Sequence, residues 1–300
     1  MPEISVIIDN YNYGQYIRET IQSVLSQDFT DFELIIVDDG STDNSREVIS
    51  SFTDPRIKTI FKENGGQLSA FNAGFQAAAG ETVCFLDSDD LYPPGYLAAV
   101  AEYFSRYPDC GCLLCKLEYF GNKTGSEPFY PDGFSGCNPF SVATRHVWIG
   151  TATSGISIKR EALAKILPFK INEKYWKTRA DDLLIWGTEL VGARKYCFSS
   201  PAVKYRLHET NDHYGNAEIS SENYARRKKA AEDFCRDIMQ KNKLTLPDML
   251  IMENRCGNLP LKEKILSWLK AGKSRMLPWL QWIRCGFILL HGIFTKRPTN

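Results

Sequence analysis

Glu33-Leu34-Ile35-Ile36-Val37-Asp38-Asp39-Gly40-Ser41-Thr42 runs from an apolar, β-branched segment straight into two carboxylates and a turn. Residues 33–37 have the composition of a buried strand, and Ser41 or Thr42 can cap a following helix whose inner face is Val48, Ile49 and Phe52. The same unit stands on either side. Upstream, residues 4–8 predict a strand, and Ile17, Ile21, Val24 and Leu25 follow at helical spacing. Downstream, residues 57–61 predict a strand and residues 67–79 a helix, with Leu68, Phe71 and Phe75 inward and Gly80 as its stop. Residues 82–86 predict a fourth strand. Strands alternating with helices predict an α/β fold with a mostly parallel sheet flanked by helices. Such sheets bind ligands outside the carboxyl ends of their strands.

Beyond residue 90 the pattern loosens. Pro93-Pro94 opens a helix carrying Leu97, Val100, Ala101 and Phe104. The apolar run from Cys110 to Phe120 predicts another strand, and the Gly-, Pro- and aromatic-rich stretch 121–139 reads as a binding loop. A strand at 155–158, a helix to Leu167, a helix beginning near Asp182 and a strand at 202–207 complete the expected catalytic unit. Its boundary is expected near residue 215, after a first part of about residues 1–90 and a second of about residues 91–215. Residues 216–300, helical in character from Glu218, form a C-terminal extension.

Carboxylates cluster where the fold places a site. Asp38-Asp39 close the second strand, and Asp87, Asp89 and Asp90 follow the fourth. Crowded acids repel, so a hard divalent cation shared between protein oxygens and substrate phosphates would relieve them. Against that stands the plain role of aspartates in turns and helix caps, which one such cluster alone would not exceed.

Three segments in order, Ser5-Val6-Ile7-Ile8-Asp9-Asn10-Tyr11-Asn12, Val37-Asp38-Asp39-Gly40-Ser41-Thr42-Asp43 and Phe85-Leu86-Asp87-Ser88-Asp89-Asp90, resemble glycosyltransferase family 2. The resemblance covers about residues 4–210 and implies a GT-A fold and an inverting, metal-dependent transfer from a nucleotide diphosphate sugar. It implies Asp9, Tyr11 and Asp39 at the nucleotide base, Asp87 near the ribose, and Asp89 on Mg2+ or Mn2+. Arg179-Ala180-Asp181-Asp182-Leu183 resembles the family's acidic pair, implying Asp182 as catalytic base with Asp181 in place of the usual Glu. A helix N-terminus would favour an ionised Asp182, a weaker base that suits concerted proton transfer. Without the family, capping is the simpler reading of that pair. Tyr205-Arg206-Leu207-His208 resembles a later segment that folds over the donor, implying Arg206 at the diphosphate and His208 at the metal. One departure is Asp9-Asn10, where the family usually has Pro-Thr. Uridine is the first expectation for the nucleotide, with thymidine and guanosine as alternatives.

The expected acceptor is a glycan or lipid-linked hydroxyl in cell-surface polysaccharide synthesis, and no nucleic-acid partner is expected. A nucleotidyltransferase would need a basic, Gly-rich phosphate loop after the first strand, which Asp9-Asn10-Tyr11-Asn12-Tyr13-Gly14 lacks. A catalytically inactive nucleotide-binding scaffold would not be expected to keep Asp39, Asp89 and Asp182 together.

Nine cysteines include Cys110, Cys112 and Cys115, but strand alternation sends Cys110 and Cys112 to one face and Cys115 to the other, away from a shared metal. Buried, reduced thiols are expected, in the cytoplasm, as the opening Met1-Pro2-Glu3 also suggests by leading directly into a strand. The net charge is zero, yet residues 260–300 hold eight basic residues against Glu263, a net of +7 that leaves −7 elsewhere. With interleaved Trp and Leu, this tail predicts either attachment to an anionic membrane surface or packing on the catalytic unit.

Overall fold

β1 (Ile4–Asn10) lies parallel to β2 (Phe32–Asp38), with Ile4 opposite Phe32 and Asn10 opposite Asp38. The computed structural model describes residues 1–169, 175–209, 221–274 and 276–295. β3 (Ile57–Phe61) extends the sheet beyond β2, and β4 (Thr82–Asp87) pairs on the other side of β1 with Asp87 opposite Asp9. Between them run α1 (Ile17–Leu25), α2 (Ser45–Ser50) and α3 (Gln67–Ala77), and α4 (Tyr96–Arg106) follows β4. The chain continues through β5 (Cys110–Gly121), β6 (Gly133–Gly136), α5 (Pro139–Arg145), β7 (Ile156–Lys159), α6 (Arg160–Leu163), α7 (Asp181–Leu190) and β8 (Arg194–Leu207). Among the described residues these strands make one sheet in the order β3-β2-β1-β4-β7-β5-β8-β6. The first four strands are mutually parallel, whereas β7 runs antiparallel to both neighbours. Ile7, Ile35 and Phe85 look into one core layer and Val6, Leu34 and Leu86 into the other, as alternation on a doubly covered sheet requires.

Several local expectations change. Neither Ser41 nor Thr42 caps α2. Asn44 holds the cap position, while the Ser41 hydroxyl accepts from the Asn12 amide at 2.9 Å and Thr42 donates its amide to Asn12 Oδ1 at 2.7 Å. These turn groups are drawn to the neighbouring strand end instead. α3 stops at Ala78, which is extended, rather than at Gly80. Gly80 answers a packing need, since a Cβ there would lie 2.5 Å from the Ser5 nitrogen. The stretch 121–139 contains edge strand β6, antiparallel to β8, as well as a loop.

The cysteine faces are also reassigned. A register shift between Cys110 and Cys112 against β8 breaks the alternation, so Cys110 and Cys115 share one core layer and Cys112 lies in the other. The three still do not share one face. Burial pushes the Cys112 and Cys115 thiols up to about 12, which keeps them unreactive.

The extension consists of α8 (Ser221–Lys241), α9 (Leu246–Cys256), α10 (Leu261–Lys273) and α11 (Trp279–Thr295). The expected boundary near residue 215, the helix start at Glu218, and Arg275, Lys296 and Arg297 lie outside the described residues. Among the described residues no helix is long and apolar enough to cross a membrane. Phe234, Leu250, Ala271 and Leu289 join the same core cluster as the sheet, so the extension packs against the catalytic unit. Polar contacts fix the docking. Buried Glu253 on α9 accepts from the Ser141 amide at 2.8 Å and hydroxyl at 2.7 Å on α5. Glu253→Ala strands both donors in the core and should cost about 2 kcal/mol, with Glu253→Gln milder. Urea denaturation monitored by circular dichroism checks this.

Candidate active site

The carboxyl ends of β1, β2 and β4 set the floor of the site. Asp38, fully buried, accepts from Asn10 Nδ2 at 2.9 Å, from the Ser41 amide at 3.1 Å and from Arg46 at 3.0 Å. It therefore organises the turn. Asp39 points the other way and accepts from Lys62, from the Gly65 amide at 3.0 Å and from the Gly66 amide at 2.6 Å. The Gly65 amide is shared between both oxygens, so each Asp39 oxygen meets two donors and the carboxylate is held firmly at the end of β2. Tyr11, just past the end of β1, is 46% exposed.

The Gly65-Gly66-Gln67 stretch was not singled out from sequence, although a glycine pair just before a helix is a readable signal. Gly66 has φ +88, and a Cβ there would sit 2.5 Å from the Lys177 Cα, so only glycine fits. The close approach carries α3 against the segment before α7. Gln67 then spans the site: its amide nitrogen donates to Asp87 Oδ1 at 3.2 Å, and its amide oxygen accepts from the Ala180 backbone at 2.9 Å. One side chain thereby ties the end of β4 to the start of α7.

At the end of β4 the acids crowd. Asp87 is held by Gln67, and Asp90 accepts from the Ser154 hydroxyl at 2.5 Å and the Arg206 amide at 2.8 Å. Burial, followed by mutual repulsion, raises the carboxyls of Asp87 and Asp90 well above the usual range. Asp9, side by side with Asp87, is pushed up to about 7 mainly by burial. Its Oδ1 is buried with no hydrogen-bond partner among the described residues. Asp89, 7% exposed, places Oδ2 at 2.8 Å from His208 Nε2. The His208 ring lies against Tyr16, with centroids 4.8 Å apart.

The Arg206 guanidinium, expected at the diphosphate, donates to the Asp89 carbonyl at 2.7 Å and to Glu19 at 2.6 Å, and lies over Tyr16 and Phe120 at 4.9 and 4.4 Å. The physical reason is local: Glu19 balances its charge and two rings fix its plane. Its contacts hold Asp89 and Asp90 in position.

Asp181 and Asp182 occupy the first turn of α7, and the cap position is Ala180, with no side-chain cap. Plain capping is therefore not what these acids do. Asp182 is 7% exposed and receives Arg179 at 3.2 Å. Asp181 is pushed up to about 7, first by burial and then by its neighbour Asp182. Its charge also reaches Asp87 across the crevice.

The donor set fits a hard divalent cation: oxygen-rich, negative, and with an orphaned buried carboxylate oxygen on Asp9. Among the described residues no three side chains already converge as a ligand shell. Mg2+ commonly takes one or two carboxylates and completes its shell with water and substrate phosphate.

A family model described as glycosyl transferase family 2 matches residues 5–165. An uncharacterized glycosyltransferase of Nostoc is 39% identical over 230 residues, covering 75% of this chain and 70% of that protein. The minor teichoic acid biosynthesis protein GgaA of Bacillus subtilis is 28% identical over 200 residues, 64% of this chain and 44% of its own length. Among solved structures, S. aureus TarS 1–349 in complex with UDP-GlcNAc aligns with a TM-score of 0.60 at 17% identity, covering 97% of this chain and 81% of that one. A mannosyltransferase from Pyrobaculum calidifontis in complex with GDP-Man and Mn2+ aligns with a TM-score of 0.52 at 18% identity, covering 98% and 86%. At these identities the structural likenesses speak for the fold.

Proposed function

This chain belongs to glycosyl transferase family 2 and has its GT-A fold, and on that premise we propose an inverting, metal-dependent enzyme that moves a sugar from UDP to a hydroxyl of a glycan or lipid-linked acceptor in cell-surface polysaccharide synthesis. The observation that carries the reading is the convergence of Asp39, Asp87 with Asp89, and Asp181 with Asp182 around Gln67. The nucleotide sugars bound to TarS and to the Pyrobaculum enzyme support a donor of this class. We place the enzyme in the cytoplasm, where buried reduced cysteines are at home, and at the membrane face where a lipid-linked acceptor is met.

In this reading Tyr11 offers its ring to the base and Asp39 its carboxylate to the uracil imide N–H, with Asp87 near the ribose. The acceptor oxygen attacks the anomeric carbon from the face opposite the diphosphate, which departs with the electrons of the broken C–O bond. Asp182 takes the hydroxyl proton as the new bond forms. Mg2+ or Mn2+ held by Asp89 and His208 would supply Lewis-acid stabilisation of charge on the leaving diphosphate. Arg206 keeps Asp89 in place through the backbone carbonyl.

Release of free nucleoside diphosphate from a panel of nucleotide sugars, with and without Mn2+, tests the reading. Metal-dependent turnover of a UDP-sugar is expected, together with a rise in melting temperature on binding. Binding and turnover of none of the panel would overturn it. Asp39→Ala should weaken metal-free UDP binding by about 2 kcal/mol, as loss of a charge-assisted hydrogen bond does. Isothermal titration calorimetry in chelator measures it, and an unchanged affinity removes Asp39 from the base site.

A further inference from the structure

The end of the extension is a helical hairpin with two unlike faces. Its inner face is fixed. Trp268 on α10 and Trp282 on α11 stack with centroids 4.4 Å apart and planes 5° from parallel, each donating its indole N–H to the other's backbone carbonyl at 2.9 and 3.0 Å. On the same side, Ser267 meets Ser141 at 3.0 Å, and Lys264 donates to the Glu253 carbonyl at 3.1 Å. The hairpin is thus rigidly docked.

Its outer face is apolar. On α11, Trp279, Ile283, Phe287 and Leu290 follow one another at i, i+4, i+8 and i+11, with Leu280 beside them. Trp279 is 69% exposed, Leu280 64% and Phe287 68%. Leu261, Ile265 and Leu269 continue the exposed stripe on α10. Single exposed apolar residues are ordinary, but eight on one hairpin mark a contact surface.

Charge selects the occupant. Lys262, Lys270, Lys273 and Arg284 are exposed along the flanks of the stripe. Residues 264–300 contain no Asp or Glu, and the one acid just before them, Glu263, is paired with Arg145 at 2.7 Å. A second copy of the same face would oppose like-charged rims. An anionic bilayer would not: it takes apolar rings into its interface while lysine and arginine stems reach the headgroups. The remainder of the chain carries the compensating net −7, which the same surface repels, so the charge asymmetry also orients the molecule. At the hairpin turn a cavity of about 580 Å³ is lined by Gly272, Lys273, Leu277, Pro278, Trp279 and Trp282, a cation beside an apolar wall.

We propose that the outer face of the α10–α11 hairpin is the docking surface by which this enzyme lies on anionic lipid, with lipid headgroups at Lys273 over the turn cavity. The proposal takes its purpose from the lipid-linked acceptor reading, but its observations are separate from the catalytic crevice.

The test is cosedimentation of the full chain with phosphatidylcholine vesicles and with vesicles that also carry phosphatidylglycerol. Binding that requires the anionic lipid and weakens with salt is expected. Trp279→Gln with Phe287→Gln removes two solvent-facing rings without touching the core and should lower vesicle binding about tenfold or more. Lys270→Glu with Lys273→Glu should abolish the preference for anionic vesicles. Equal recovery in the supernatant with and without vesicles overturns the proposal, as does a dimer in sedimentation velocity that the Trp279 and Phe287 changes dissolve. Donor hydrolysis is measured on the same preparations. Intact hydrolysis without vesicle binding sinks the surface alone, whereas vesicle binding without hydrolysis of any donor sinks the transferase reading alone.

Discussion

Asp182→Asn is expected to lower sugar transfer by about 10²- to 10⁴-fold, the range of a lost general base, while nucleoside diphosphate affinity changes little. The asparagine keeps the shape and the helix start, so the fold should survive. Asp182 sits in the first turn of α7 beside Arg179, whereas the groups proposed for the nucleotide sit at the ends of β1, β2 and β4. Removing the base therefore acts on the acceptor proton and not on the donor. Turnover and UDP titration on one preparation separate the two. Transfer at near wild-type rate would take Asp182 out of the mechanism and leave the acidic pair as a packing feature.

Asp89→Ala should erase the part of UDP affinity that depends on metal. Losing an outer partner of a metal ligand typically costs about 10- to 100-fold in metal affinity, so losing a ligand itself should exceed about 100-fold. His208→Ala should exceed that mark too, because His208, 2.8 Å from Asp89, is read as the second ligand. The metal-free protein need not suffer. The charge of Asp89 raises the carboxyls of Asp9, Asp87 and Asp90, so its removal relieves repulsion, and the melting temperature in chelator should hold or rise. Calorimetric titration of UDP with and without Mn2+ gives the answer. If Mn2+ tightens UDP equally in wild type and variant, the metal is held elsewhere.

The strand and helix alternation of the first ninety residues, and the placing of Asp39, Asp87, Asp89 and Asp182 at element ends, were legible because they are local. Apolar period, β-branching and turn chemistry act over a few residues, and a parallel sheet then puts strand ends at one edge. What lay beyond local reading depended on register between distant segments. Gln67 looks like the first residue of an amphipathic helix, and only the order β2-β1-β4 with α7 packed above lets it bridge Asp87 and Ala180. Arg206 is legible only as a cation expected at the diphosphate, and the fold alone brings Glu19, Tyr16 and Phe120 around it. The cysteine faces followed a strict two-residue period that one bulge opposite β8 reverses. The basic, aromatic tail allowed two readings by composition: packing holds for the side that buries Ser267 and Ala271, while the opposite side keeps Trp279 and Phe287 outside and is the one proposed to meet lipid. Sequence set which residues were apolar or charged; which of them met was decided by pairings from about twenty to nearly two hundred residues apart, whose energies no local window contains.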